Sequence, residues 1–173
     1  MTVPPHRPSA DATGGRRRSG RAQQPERDDP YGWAGKPGAP SVCPQCHAVY
    51  HDGRWTWDAP PSEGAANLLC QACQRIRDDY PAGAVTLAGM FVAEHMDDLI
   101  LLVHAQAEAE GKEHPLNRIM AITPTRPDRL EITTTDVHLP RRIGKALEKA
   151  YDGTLEERFA ADEYYIRVSW RRD

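Results

Sequence analysis

Four cysteines, spaced as two pairs, constrain this chain more than any other feature. Cys43-Pro-Gln-Cys46 and Cys70-Gln-Ala-Cys73 are separated by twenty-three residues. A Cys-x-x-Cys turn folds two sulfurs towards one point, and a hairpin can bring a second such turn up to the first. Four thiolates in a tetrahedron suit Zn²⁺. The spacer exceeds the roughly 15–20 residues usual between such turns, and a loop over residues 59–66 takes up the excess. The alternatives are two disulfides, a redox dithiol, or four unrelated buried cysteines. Disulfides belong to oxidising compartments, whereas the start Met1-Thr-Val-Pro-Pro lacks the apolar stretch of a secretory signal. A thioredoxin-like dithiol needs one Cys-x-x-Cys placed after a strand, and here there are two. His47 and His51 lie close enough in sequence to replace a thiolate, although the hairpin surface is the simpler place for both.

A site closed by four sulfurs leaves no open position to activate water, so zinc here points to a structural role and away from catalysis. Segments below about 40 residues rarely bury enough apolar area to fold alone. Metal binding is therefore expected to supply the folding free energy of residues 41–80.

The 173 residues leave room for one further domain. The longest apolar run, Leu99-Ile-Leu-Leu-Val103, is far short of the roughly 20 residues a membrane span needs. With no membrane segment and no signal, a cytoplasmic location is expected, where reduced cysteines favour metal binding. The net charge of -3 is unevenly divided: residues 1–40 carry seven Lys/Arg against four Asp/Glu, and residues 41–173 carry fifteen against twenty-one. Residues 1–40 lack apolar periodicity and are rich in Pro, Gly and Arg, so they read as a disordered basic tail. Arg16, Arg17 and Arg18 form its basic cluster, and Tyr31 and Trp33 are aromatics suited to docking on the ribbon.

Within residues 41–80, Asp52-Gly53 predicts a tight hairpin turn between strand-like runs. Trp55 and Trp57 then share one strand face. A short helix is expected over Arg75–Tyr80, stopped by Pro81. From residue 81 the pattern is strand (Val85–Leu87), helix (Phe91–Glu110, ended by Gly111), strand (Arg118–Thr123) and a turn at 124–128. It continues with strand (Leu130–Thr135), helix (Leu139–Ala150, with Asp136 as N-cap) and strand (Glu163–Arg171). That order predicts a ferredoxin-like βαββαβ domain: a four-stranded antiparallel sheet with both helices on one face. Thr86, Glu131, Thr133, Tyr165 and Arg167 fall on the open face. The first helix is apolar on several sides, through Val92, Met96, Leu99, Ile100, Leu101, Leu102 and Val103, so cover on more than one side is expected.

No phosphate-binding glycine loop, Gly-x-Ser-x-Gly or His-Glu-x-x-His is present, and no site for a small-molecule substrate is evident. His95 and His104 fall on opposite sides of one helix. The candidate nucleic-acid contacts are Arg54 beside the tryptophans, Arg75 and Arg77 after the second cysteine pair, and Arg141, Arg142, Lys145 and Lys149 along the last helix. Such residues contact phosphates and position a partner without reading its sequence.

The stretches Cys43-Pro-Gln-Cys46-His-Ala-Val-Tyr-His-Asp-Gly-Arg-Trp55, Cys70-Gln-Ala-Cys73-Gln-Arg-Ile-Arg-Asp, Pro81-Ala-Gly-Ala-Val-Thr-Leu87, Glu113-His-Pro-Leu-Asn-Arg-Ile119 and Ile132-Thr-Thr-Thr-Asp-Val-His-Leu139 resemble a family of small uncharacterised bacterial zinc-ribbon proteins over residues 41–173. The layout of ribbon plus α/β domain is also similar to the adaptor that escorts the large ribosomal subunit out of the nucleus, and to its archaeal relatives. That likeness implies association with the ribosome or its RNA, and carries over to no residues beyond the four cysteines. The expectation is a non-enzymatic zinc protein that binds RNA, most simply on the ribosome. A protein–protein adaptor acting through the α/β domain and its open sheet face is the alternative.

Overall fold

The structure, a computed structural model, describes residues 29–32, 37, 40–60 and 64–173. The basic cluster at 16–18, Trp33, the middle of the 59–66 loop and most of the expected disordered tail lie outside those residues.

The first part is a small four-stranded sheet followed by a helix. Its strands are β1 (Ser41–Val42), β2 (Val49–His51), β3 (Arg54–Thr56) and β4 (Ala66–Asn67), in the order β3-β2-β1-β4. Asp52 and Gly53 both take positive φ, at 49° and 84°, as the tight turn between β2 and β3 requires. Helix α1 (Gln71–Asp78) begins four residues earlier than the sequence suggests. Cys70 is its N-cap, and its sulfur accepts from the Cys73 amide, so the second cysteine pair is itself the first turn of the helix.

The second part is a five-stranded sheet in the order β6-β7-β5-β9-β8. It comprises β5 (Gly83–Ala88), β6 (Ile119–Arg126), β7 (Arg129–Thr134), β8 (Thr154–Phe159) and β9 (Ile166–Arg171). Helices α2 (Met90–Glu113) and α3 (His138–Tyr151) pack on one face. Val85, Leu87, Leu130, Ile132, Ile166, Val168 and Trp170 point to them and form one buried cluster with Val92, Leu99, Val103, Leu139, Ile143 and Leu147. Alternate residues, among them Thr86, Glu131, Thr133, Arg167 and Ser169, lie on the face that neither helix covers.

This sheet departs from the four-stranded antiparallel expectation. Residues 154–159 add strand β8, whose pattern of half-buried Leu155, Glu157 and Phe159 alternating with exposed Thr154, Glu156 and Arg158 fits an edge position. Because β8 and β9 form a hairpin, β9 runs parallel to β5. Strand β6 continues through Pro124 into the expected turn, which an edge strand permits because an edge needs no second ladder of N–H donors. Helix α2 likewise runs past Gly111 and ends only before His114 and Pro115. Leu101 on its outer side is 67 % exposed, so the described residues do not cover that helix as fully as its apolar character suggests.

Candidate metal centre

The two cysteine pairs meet. Their four sulfurs all lie within 4.8 Å of one another, and Cys46 and Cys70 are separated by 3.7 Å. A tetrahedron with metal–sulfur bonds of about 2.3 Å has sulfur–sulfur edges near 3.8 Å, so the donors already stand close to the spacing a divalent ion requires. No disulfide joins them. Cys43 and Cys70 are fully buried and Cys73 nearly so. His47 and His51 are both exposed and outside the group; His51 faces Asp52 at 3.2 Å.

Local geometry acts unequally on the sulfurs. The amide of Cys70 points to Cys43 Sγ and that of Cys73 to Cys70 Sγ, both at 3.4 Å. Burial opposes ionisation of Cys43, but the amides of Cys70, Cys46 and Gln45 outweigh it and bring its thiol down to about 6. At Cys70 and Cys73 burial prevails over the amide and guanidinium donors, so without a metal these thiols are pushed up. The start of α1 adds the positive end of a helix dipole beside the sulfurs.

The group sequence reasoning missed is Arg118, which approaches from the other part of the molecule. One terminal nitrogen reaches Cys46 Sγ at 3.1 Å and Cys70 Sγ at 3.4 Å, and the other reaches Cys73 Sγ at 3.5 Å. Its Nε donates to the Pro115 carbonyl at 2.6 Å. Its backbone exchanges hydrogen bonds with Thr135, from the Arg118 amide to Oγ1 at 2.9 Å and from the Thr135 amide to the Arg118 carbonyl at 3.0 Å. Desolvation works against its charge, yet Cys46, Cys73 and Cys70 outweigh that and hold it more firmly protonated. Forty-five residues separate Arg118 from the nearest cysteine in the chain, and no spacing rule links them.

The expected nucleic-acid contacts fare unequally. Arg75 is 1 % exposed and out of a polyanion's reach. It donates to Asp29 and to the Tyr80 carbonyl, and its guanidinium lies 4.5 Å from the Tyr31 ring and 5.8 Å from those of Tyr80 and Tyr164. It pins residues 29–32 to the body, because a buried guanidinium needs a carboxylate and stacked rings in place of water. Arg77 is exposed but paired with Asp78 at 2.7 Å. Arg54 is exposed at the β2–β3 turn.

Three of the seven come together on α3. Arg141, Arg142 and Lys145 line a surface cleft of about 330 Å³ with His138 and Glu110. Arg142 bonds Glu110 and Arg141 bonds Glu157, each at 2.8 Å. Lys145 has no carboxylate partner among the described residues, and Lys149 is exposed one turn further on. Behind the cleft, the buried Asp136 carboxylate accepts from the amides of His138 and Leu139 at 2.6 and 2.9 Å, one residue ahead of the formal cap Val137. Among the described residues no helix is long and apolar enough to cross a membrane. No protein-family model, curated protein or solved structure matches the chain.

Proposed function

We propose that this chain is a non-enzymatic zinc protein whose α/β part contacts the phosphate backbone of RNA, with the ribosome as the simplest source of that RNA. The observation that carries the zinc reading is the convergence of four sulfurs within 4.8 Å of one another. Cys43, Cys46, Cys70 and Cys73 would hold the ion. Thiolate donors favour zinc over harder divalent ions, and a filled tetrahedron supports a structural use of the metal. The free thiols suit a reducing compartment such as the cytoplasm.

The RNA reading is supported by the cleft at the start of α3. Arg141, Arg142 and Lys145 offer three cations there, Lys149 offers one more in the last turn of α3, and Arg54 offers one on the ribbon. Glu110 and Glu157 offset part of that charge, which favours moderate, salt-sensitive affinity over tight binding. The test has two arms. Elemental analysis of protein purified without chelator is expected to find one zinc per chain. Sedimentation with ribosomes is expected to carry the protein down at low salt and release it at high salt. Absence of metal defeats the first reading, and a protein that stays in the supernatant at both salts defeats the second.

One observation favours the adaptor reading. Leu101 is 67 % exposed on α2, one helical turn from Asp97 and Asp98. An apolar side chain with acidic neighbours suits a basic protein partner. A partner recovered after nuclease treatment and lost in Leu101→Asp would support it over RNA.

A further inference from the structure

The metal centre is not a property of the ribbon alone. A divalent ion bound by four thiolates carries a net double negative charge, and burying that charge is costly unless a cation meets it. The ribbon segment presents Arg75 elsewhere, in its tyrosine cage. The guanidinium on the sulfurs is that of Arg118, and its placement is set from the α/β part. Thr135 fixes its backbone and the Pro115 carbonyl holds Nε. Both terminal nitrogens are thereby left to reach three of the four sulfurs, and among the described residues no carboxylate competes for them.

The rest of the junction is less strongly charged: the Arg75 guanidinium of the ribbon stands 5.8 Å from the Tyr164 ring of the α/β part. Trp57 donates through Nε1 to the Gly111 carbonyl at 2.6 Å, its ring stands 5.9 Å from the Arg118 guanidinium, and Leu116 packs against the cysteine cluster. Trp57 is itself 48 % exposed. The most strongly charged contact across the junction is therefore also an outer-sphere contact of the metal site.

We propose that Arg118 makes the metal centre a latch between the two parts. The loaded tetrathiolate holds the ribbon against the α/β part through Arg118, and the docked Arg118 in turn slows loss of the ion. Coupling of this kind is reciprocal in binding free energy, so docking that the loaded site strengthens must in turn strengthen the hold on the ion, and the release rate is the readout of that hold. The inference rests on the zinc reading above and adds to it a residue, a direction and a consequence. Removing the metal leaves the four sulfurs no longer gathered into one target for Arg118, and the segment 114–119 then loosens together with the ribbon.

The experiment uses the full chain. Zinc release to an excess of a chromogenic chelator is followed for wild type, Arg118→Lys and Arg118→Gln, after the metal content of each is measured. Loss of an outer-sphere partner typically costs about ten- to a hundredfold in metal affinity. Release from Arg118→Gln is expected to be faster by a factor in that range. Arg118→Lys, which keeps the charge but not the fork, is expected between the two. Hydrogen exchange on wild type, with and without zinc, needs no variant to fold, and faster exchange at 114–119 on zinc removal is expected. Wild type that holds zinc, with Arg118→Gln releasing it at the wild-type rate or with 114–119 exchanging alike in both states, overturns the latch and leaves the zinc reading intact. Wild type without zinc overturns both.

Discussion

At the scale of single residues, buried ions meet different fates according to whether a counter-group reaches them. Arg75 has Asp29 and three tyrosine rings, and Arg118 has three sulfurs. Asp136 has only two amides on one oxygen; its other oxygen, Oδ1, is buried without a hydrogen-bond partner in the structure. Burial raises its pKa, and the amides of Leu139 and His138 offset this only in part. The folded chain thus holds a proton on Asp136 over an interval where the unfolded chain has lost it. Stability from this group is fully present below the unfolded carboxyl's value, near 4, and is lost as pH rises through the raised value. Asp136→Asn keeps an acceptor oxygen and removes the titration. Wild type is expected to lose stability relative to this variant as pH climbs above the ordinary carboxylate range. Denaturant unfolding of both proteins at stepped pH reads the difference, in which the shared metal centre cancels, and parallel curves would contradict the assignment. Arg75→Ala is expected to cost about 2 kcal/mol by removing a buried side chain together with its bonds to Asp29 and the Tyr80 carbonyl, and to leave RNA binding unchanged because the guanidinium is internal. The cysteines were legible because ligand spacing is local in each pair. Arg75 was misread as a surface cation because the residues that bury it, Asp29, Tyr31 and Tyr164, lie far from it along the chain.

At the scale of elements, what could be read was what short-range chemistry decides. Asp52-Gly53 specified a hairpin, the β-branched run of β7 a strand, and Asp136 the start of α3. Strand β8 escaped because Thr-Leu-Glu-Glu-Arg-Phe is mostly polar; at a sheet edge only half of each alternation is buried, and only partly. The length of α2 escaped because a single glycine near a helix end costs only about 1 kcal/mol, too little to stop a helix whose Gly111 carbonyl also accepts from Trp57. Gly89 shows the opposite case, where a glycine cannot be exchanged. It joins β5 to α2 with φ of 119°, and an added Cβ would lie 1.9 Å from the Arg172 carbonyl oxygen. Neither the backbone conformation nor the opposing main chain can yield without moving the end of β9. Gly89→Ala is expected to destabilise the α/β part by about 2–4 kcal/mol. Thermal unfolding followed by the near-ultraviolet signal of Trp170, buried in the same core, checks it; a loss under about 0.5 kcal/mol, the usual range for surface changes, would mean that this junction relaxes freely.

For the whole molecule, the question is how a chain of net charge -3 could hold a polyanion. Overall repulsion is screened beyond about 8 Å at physiological ionic strength, so only the local charge at the α3 cleft decides. There Arg141 and Arg142 are already committed to Glu157 and Glu110, and these pairs need not break to meet a phosphate, since a guanidinium has donors left over after one carboxylate. Lys145 and Lys149 carry no such obligation among the described residues and lie on the exposed side of α3, away from the core. They are the residues whose reversal tests the cleft without disturbing the fold. For single-stranded RNA, each phosphate neutralised contributes about -0.7 to the slope of log affinity against log salt. Replacing both lysines by glutamate is expected to make that slope shallower by at least about 1.4 and to weaken binding to unrelated RNA sequences alike, since phosphate contacts carry no sequence information. Fluorescence anisotropy with two RNAs of different sequence over a salt series reads both quantities. An unchanged slope would move the contact away from α3, to Arg54 on the ribbon or to the uncovered sheet face with Arg167. A loss confined to one sequence would mean that bases, not phosphates, are being read.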